Sequence, residues 1–237
     1  SFGSDSKASG QATVAVGKES NASGSSAISA GYQSAAAGDN AVAVGKNTTA
    51  GATNAIAVGL RATATGTRAI ATGAGSSATG EQSLANGFTA KASGENSIAQ
   101  GNAAKASGEN SIAQGNAANA SAANATAIGT LSNASGVASF AGGTSAKAIG
   151  DNSIAIGGAT VMDDDYLTDK KQTAAHAAKA NGKKSIAIGF NATTSEEAAD
   201  SVVMGTFANA NAPSAVVIGE GALADGDGDL SVAIGRL

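Results

Sequence analysis

The sequence predicts an all-β chain: a flattened parallel β-solenoid, or β-roll, wound in turns of 14 residues. Three observations predict it. The 14-residue sentence Lys-Ala-Ser-Gly-Glu-Asn-Ser-Ile-Ala-Gln-Gly-Asn-Ala-Ala fills positions 91–104 and recurs letter for letter at 105–118. Stepping outward by fourteen then finds glycine at Gly17, Gly31, Gly45, Gly59, Gly73, Gly87, Gly101, Gly115, Gly129, Gly143 and Gly157. After a longer gap the motif resumes at Gly189, Gly205, Gly219 and Gly235, giving fifteen copies. Around each of these marker glycines the side chains alternate in size with a period of two, which is the pattern of a strand with two different faces. One copy is too short to bury a core, so copies must stack on one another.

Composition closes off other classes. The 237 residues include 33 Gly, only 3% aromatics and no Trp, too little bulk for an ordinary globular core. One Pro and 42% hydrophobic residues argue against disorder. Without Cys there is no disulfide framework and no Cys-based zinc site. A net charge of −4 with interspersed signs gives no basic stripe, so nucleic acid is excluded as a partner. No run reaches the roughly 18 apolar residues needed to span a bilayer. No signal peptide opens the chain, so it reads as part of a longer protein.

The first strand precedes the marker glycine. Three places before it stand large apolar residues such as Val14, Val42, Ile56, Ile98, Ile112, Ile154 and Ile186, with Thr126 the one exception. Two places before it twelve copies have Ala, so bulk is refused on that face. One place before it come Val16, Val44, Val58, Ile156 and Ile188, but also Thr72, Asn86, Gln100 and Gln114. The second strand follows three to five residues after the glycine as small-variable-small, for example Ala90-Lys91-Ala92 and Ser132-Asn133-Ala134. One of its faces is packed against something thin and the other is in water. A second glycine, such as Gly24, Gly38, Gly80 or Gly94, ends it and is expected to supply the positive backbone angle of a tight corner. Each repeat therefore reads strand, corner, strand, corner, with turns stacked about 4.8 Å apart.

The small faces must meet inside the roll, which leaves Ile and Val pointing outward. Burying one such side chain is worth roughly 1.5–3 kcal/mol, so a long apolar ridge demands a partner. Another copy of the same chain, packed with cyclic symmetry about an axis parallel to the roll, supplies it. The expected oligomer core is Val14, Val16, Val42, Val44, Ile56, Val58, Ile98, Gln100, Ile112, Gln114, Ile154, Ile156, Ile186 and Ile188. The residues alone do not choose three copies over two. Gln100 and Gln114 stand in a polar stretch of that ridge, where buried amides must find partners or ordered water.

The recurring Ser-Ile-Ala-x-Gly, at 97–101, 111–115, 153–157 and 185–189, with Ser-Val-Ala-Ile-Gly at 231–235, resembles the head repeat of the YadA-like trimeric autotransporter adhesins of Gram-negative bacteria. The resemblance covers nearly the whole chain. It implies a homotrimer of left-handed parallel β-rolls, and a single head at 1–237 with an inserted loop at about 161–177. It further implies display on the bacterial cell surface, with a virulence role in adhesion, and an outer-membrane anchor that would lie outside this chain, since no neck, heptad stalk or barrel precedes Leu237. No enzymatic activity and no cofactor are expected.

The insert runs from Val161 to Ala177, and Gly157 to Gly189 spans eighteen residues more than one period. Long loops on rigid scaffolds carry recognition, so Asp163, Asp164, Asp165, Lys170 and Lys171 form the candidate partner-binding loop. Asp225-Gly226-Asp227-Gly228-Asp229 begins like a calcium loop, but Leu230 and Arg236 occupy positions that such a loop gives to Gly and Glu. His176, the only histidine, reads as an exposed loop residue. Three functions are weighed. The first is a surface adhesin whose rigid trimeric roll attaches to host cells or extracellular matrix through many weak contacts. The second is an ice-binding or purely structural spacer solenoid, hinted at by Thr63-Ala64-Thr65. A solenoid enzyme is third, and the 14-residue period does not fit the hexads of acyltransferase helices.

Overall fold

A computed structural model describes residues 1–159, 176–226 and 230–235. The chain is an all-β parallel β-solenoid of about fifteen turns, each of about 14 residues. It forms two compact units, Ser1–Ala113 and Gln114–Leu237.

In the first unit the three-residue strands Val14–Val16, Ile28–Ala30, Val42–Val44, Ile56–Val58, Ile70–Thr72, Leu84–Asn86 and Ile98–Gln100 pair in parallel, each of the first six with the strand fourteen residues on. A second sheet of two-residue strands runs from Lys7–Ala8 to Lys105–Ala106 with the same offset. We call the first the apolar-faced sheet and the other the polar-faced sheet. The second unit repeats the arrangement: Thr126–Ile128, Phe140–Gly142 and Ile154–Ile156 on the apolar-faced sheet, Asn119–Ala120, Asn133–Ala134 and Lys147–Ala148 on the other. The gap between Gly157 and Gly189 leaves the ladders intact. Ile154 pairs directly with Ile186, and Lys147 with Lys179. As the sequence leads one to expect, the roll continues in register on both sides of the insert, whose residues 160–175 lie outside the described ones.

The core is a thin layer of methyl groups. Ala43, Ala57, Ala71, Ala85 and Ala99 on one sheet, and Ala50, Ala64, Ala78, Ala92 and Ala106 on the other, are fully buried. A methyl group buries little area, so the backbone ladders, at about 1 kcal/mol net per hydrogen bond, carry much of the cohesion between turns. Buried serines close the ends of this layer by donating to the carbonyl three residues back: Ser83 to Gly80 at 2.7 Å, Ser97 to Gly94 at 2.6 Å and Ser111 to Gly108 at 2.7 Å. In the second unit Val203 and Val217 take the alanine position and are fully buried side by side.

One expectation about the corners is corrected. The second glycines, such as Gly24, Gly38, Gly80 and Gly94, do not have positive φ. The left-handed residue stands two places later and is usually not glycine: Asn40 (φ 55), Gln82 (φ 55), Asn96 (φ 54) and Asn110 (φ 54). Asn tolerates this region better than most residues, which accounts for its frequency there. Glycine is favoured at the second corner because successive turns touch. A Cβ on Gly80 would lie 2.0 Å from the Gly94 carbonyl oxygen, and one on Gly94 would lie 1.9 Å from that of Gly108. The marker glycines face both demands, since Gly87 combines φ +140 with a Cβ position 2.3 Å from the Gly101 oxygen.

Candidate functional site

The first candidate is the outer face of the apolar-faced sheet. A three-residue strand places its middle side chain inward and the two flanking ones outward. In the first unit Val14, Val16, Val44 and Val58 are accordingly exposed, with Val42, Ile56, Ile98 and Ile112 half-buried, although each neighbouring alanine is buried. The same holds in the second unit, where Ile156 is exposed and Ile154, Ile186 and Ile188 are half-buried. The parallel register stacks like on like, Val42 against Ile56 and Val44 against Val58, so the face is a two-column, mostly apolar ridge within each unit. Exposed apolar area of this kind marks an interaction surface.

Ridge volume is balanced between columns. Phe140 folds across its own strand toward Gly142, where a Cβ would meet the phenyl ring at 2.8 Å. The adjacent turn carries Thr126 with Ile128 in the reverse arrangement of small and large.

Polar residues interrupt the ridge. In the first unit Thr72 lies next to Asn86, and Asn86 next to Gln100. The Thr72 hydroxyl donates to Asn86 Oδ1 at 3.0 Å, and the Asn86 and Gln100 side chains face outward with the ridge rather than into the alanine layer. Gln114, the corresponding residue at the start of the second unit, is exposed as well.

Other sequence candidates are placed as follows. Asp163, Asp164, Asp165, Lys170 and Lys171 lie outside the described residues. So do Asp227 to Asp229, while Asp225 accepts a hydrogen bond from Asn211 Nδ2 at 3.1 Å. The outer column of the polar-faced sheet holds Thr49 against Thr63, flanked by Ala35 and Ser77, so the threonine run is two turns long. His176 is not the isolated exposed residue expected. It is half-buried and stacks on Phe190, with centroids 5.4 Å apart and planes at 10°, while Phe207 closes the group edge-on at 6.1 Å from His176 and 5.5 Å from Phe190. The signal was available in the sequence, since Phe190 and Phe207 fall one and two places after marker glycines on adjacent turns.

Matches to the family described as YadA head domain repeat (2 copies) run over residues 1–20, 22–48, 50–76, 78–104, 106–132, 134–160, 176–192, 180–208 and 197–222. The chain belongs to the YadA head repeat family. Among solved structures, the crystal structure of the collagen-binding domain of Yersinia adhesin YadA is similar at 20% identity and a TM-score of 0.31, covering 85% of this chain and 69% of that one. None of the curated proteins compared with the chain matches it. Members of the YadA head family are structural and adhesive rather than enzymatic, and this chain is an adhesin-type β-roll domain.

Proposed function

We propose that this chain is the head of an adhesin displayed on the bacterial cell surface, and that three copies pack through their apolar ridges to form it. The assembled head attaches the cell to a host-cell or extracellular-matrix receptor. One observation carries the reading: within each unit the residues one and three places before the marker glycines stay outward in two stacked columns, while the alanine between them is buried in every turn that has one except the last, at Ala233. Family membership supports the adhesive role and surface display. The roll runs as one head from residue 1 to 237, broken in sequence by the insert at about 161–177, and it needs no cofactor.

Two measurements on the purified chain test this. Light scattering is expected to give three times the 22.2 kDa chain mass, and a folded monomer refutes the packing. Binding to immobilised matrix proteins and to host cells, with and without residues 161–177, tests the adhesion. Attachment that survives the deletion assigns it to the roll, and attachment lost on deletion assigns it to the insert. No attachment to any matrix protein or cell refutes the adhesive reading.

A further inference from the structure

The corner after the marker glycine presents exposed side chains on most turns. In the first unit its first residue reads Lys18, Tyr32, Lys46 and Leu60 on consecutive turns. Backbone bonds lock these corners together: Gln33 N–H to the Lys18 carbonyl at 3.0 Å, Asn47 N–H to that of Tyr32 at 2.9 Å and Arg61 N–H to that of Lys46 at 2.9 Å. The Tyr32 ring therefore lies between two ammonium groups, with Lys18 Nζ 5.9 Å and Lys46 Nζ 5.6 Å from its centroid. A cation over an aromatic face is attracted by the negative π face of the ring. Both lysine heads are thus held beside a fixed ring, two turns or about 10 Å apart, and less freedom is lost when an anion binds them.

The charges of this corner are not balanced internally. Glu19 lies 3.6 Å from Lys18 and is also claimed by Gln33, whose Nε2 donates to it at 2.6 Å. Among the described residues neither Lys46 nor Arg61 has a salt-bridge partner, and both are exposed. The stretch before Glu81 holds five basic and three acidic residues in a chain whose net charge is −4, so cationic character is concentrated in these turns.

We propose that this corner is a binding strip for a sulfated glycan chain laid along the stacking direction. Lys18, Lys46 and Arg61 meet its sulfates, and Tyr32 fills the gap between the first two while offering its hydroxyl. The cations occupy a strip one or two residues wide, flanked by Glu19 and Gln33. That suits a single extended polyanion and not the broad face a duplex or a bilayer requires. The assignment rests on the reading of the chain as a surface-displayed head, where glycans are within reach.

The test measures the affinity of the purified oligomer for a fully sulfated heparin hexasaccharide, for the same oligosaccharide desulfated and N-acetylated, and for an unsulfated uronic-acid polymer. Binding is expected for the sulfated chain alone and should weaken as salt rises, with a slope reflecting about three ion contacts. The pair Lys46→Gln and Arg61→Gln should weaken it about tenfold or more, the loss of two charge-assisted contacts. Lys91→Gln with Lys105→Gln removes the same charge from the polar-faced sheet and should leave it within about twofold. Lack of binding by the unsubstituted chain, equal binding of unsulfated polymers, or equal loss in both double variants overturns the proposal. If the chain still forms trimers and attaches to cells in that event, only the glycan strip fails.

Discussion

Replacing the two kinds of corner glycine by alanine should give sharply different losses. Gly80 and Gly87 belong to the same unit and both lie hard against the next turn, with added Cβ positions 2.0 Å from Gly94 O and 2.3 Å from Gly101 O. Only Gly87 has a left-handed angle, φ +140. The chain itself shows that the slot of Gly80 can take a methyl group, since Ala52 and Ala122 occupy it in other turns. There the corner gives way: Gly66, Gly80 and Gly94 N–H each make a long bond of 3.4 Å to the next turn, and no such bond is made by Ala52 or Ala122. Gly80→Ala should therefore cost about 1 kcal/mol, near the low end of overpacking and partly offset by a stiffer unfolded chain. Gly87→Ala adds about 1–3 kcal/mol of backbone strain to about 1–3 kcal/mol of overpacking, for a total of about 2–6 kcal/mol. Guanidinium unfolding followed by circular dichroism at one fixed protein concentration measures both, with the m-value checking that the transitions are comparable. A Gly87→Ala loss no larger than that of Gly80→Ala would refute the division of labour between the two corners.

Three further outcomes are expected. Thr194 is fully buried and its hydroxyl accepts from the N–H of Asn181 at 3.1 Å and of Gly182 at 3.3 Å, so Thr194→Val should lose about 1–3 kcal/mol at nearly constant volume, read from the same denaturation curves; an unchanged midpoint would show those amides satisfied elsewhere. Ile56→Asp with Val58→Asp should leave the β-sheet circular dichroism of the roll but drive the light-scattering mass toward one chain, because both side chains point outward; an intact oligomer refutes the ridge as its contact. Asn86→Ile with Gln100→Ile should raise the melting temperature of the oligomer by several degrees, since two polar layers of the ridge become apolar; a fall would show that their amides are paired across the interface.

Much of this architecture is legible in the sequence because a period of two and a period of fourteen are both written in side-chain size. The strand Ile98–Gln100 and its inward Ala99 follow from large-small-large, and Lys91–Ala92 from small-variable-small. The corners are harder to read. Glycine answers two physical demands, a positive φ and a missing Cβ, and sequence does not say which one operates. The left-handed position therefore has to be found at Asn96 rather than at Gly94. Size rules fail locally as well, since Val203 and Val217 enter the alanine layer without any cue in their own turns. The aromatic group around His176 and the lysines flanking Tyr32 escape a linear reading for another reason. Their members are separated by a turn or more of intervening sequence and meet only through the parallel register.

That register has a consequence for how this surface can change. Neighbours on the outside of the regular turns are mostly fourteen residues apart in the chain, so a recognition feature on the roll itself is spelled vertically, one letter per turn, and no short linear motif contains it. Lys18, Tyr32 and Lys46 form one such word. A point substitution edits a single letter of a word. Gain or loss of a whole repeat leaves each turn's own packing unaltered yet brings different letters together, so new words arise without any new residue being invented.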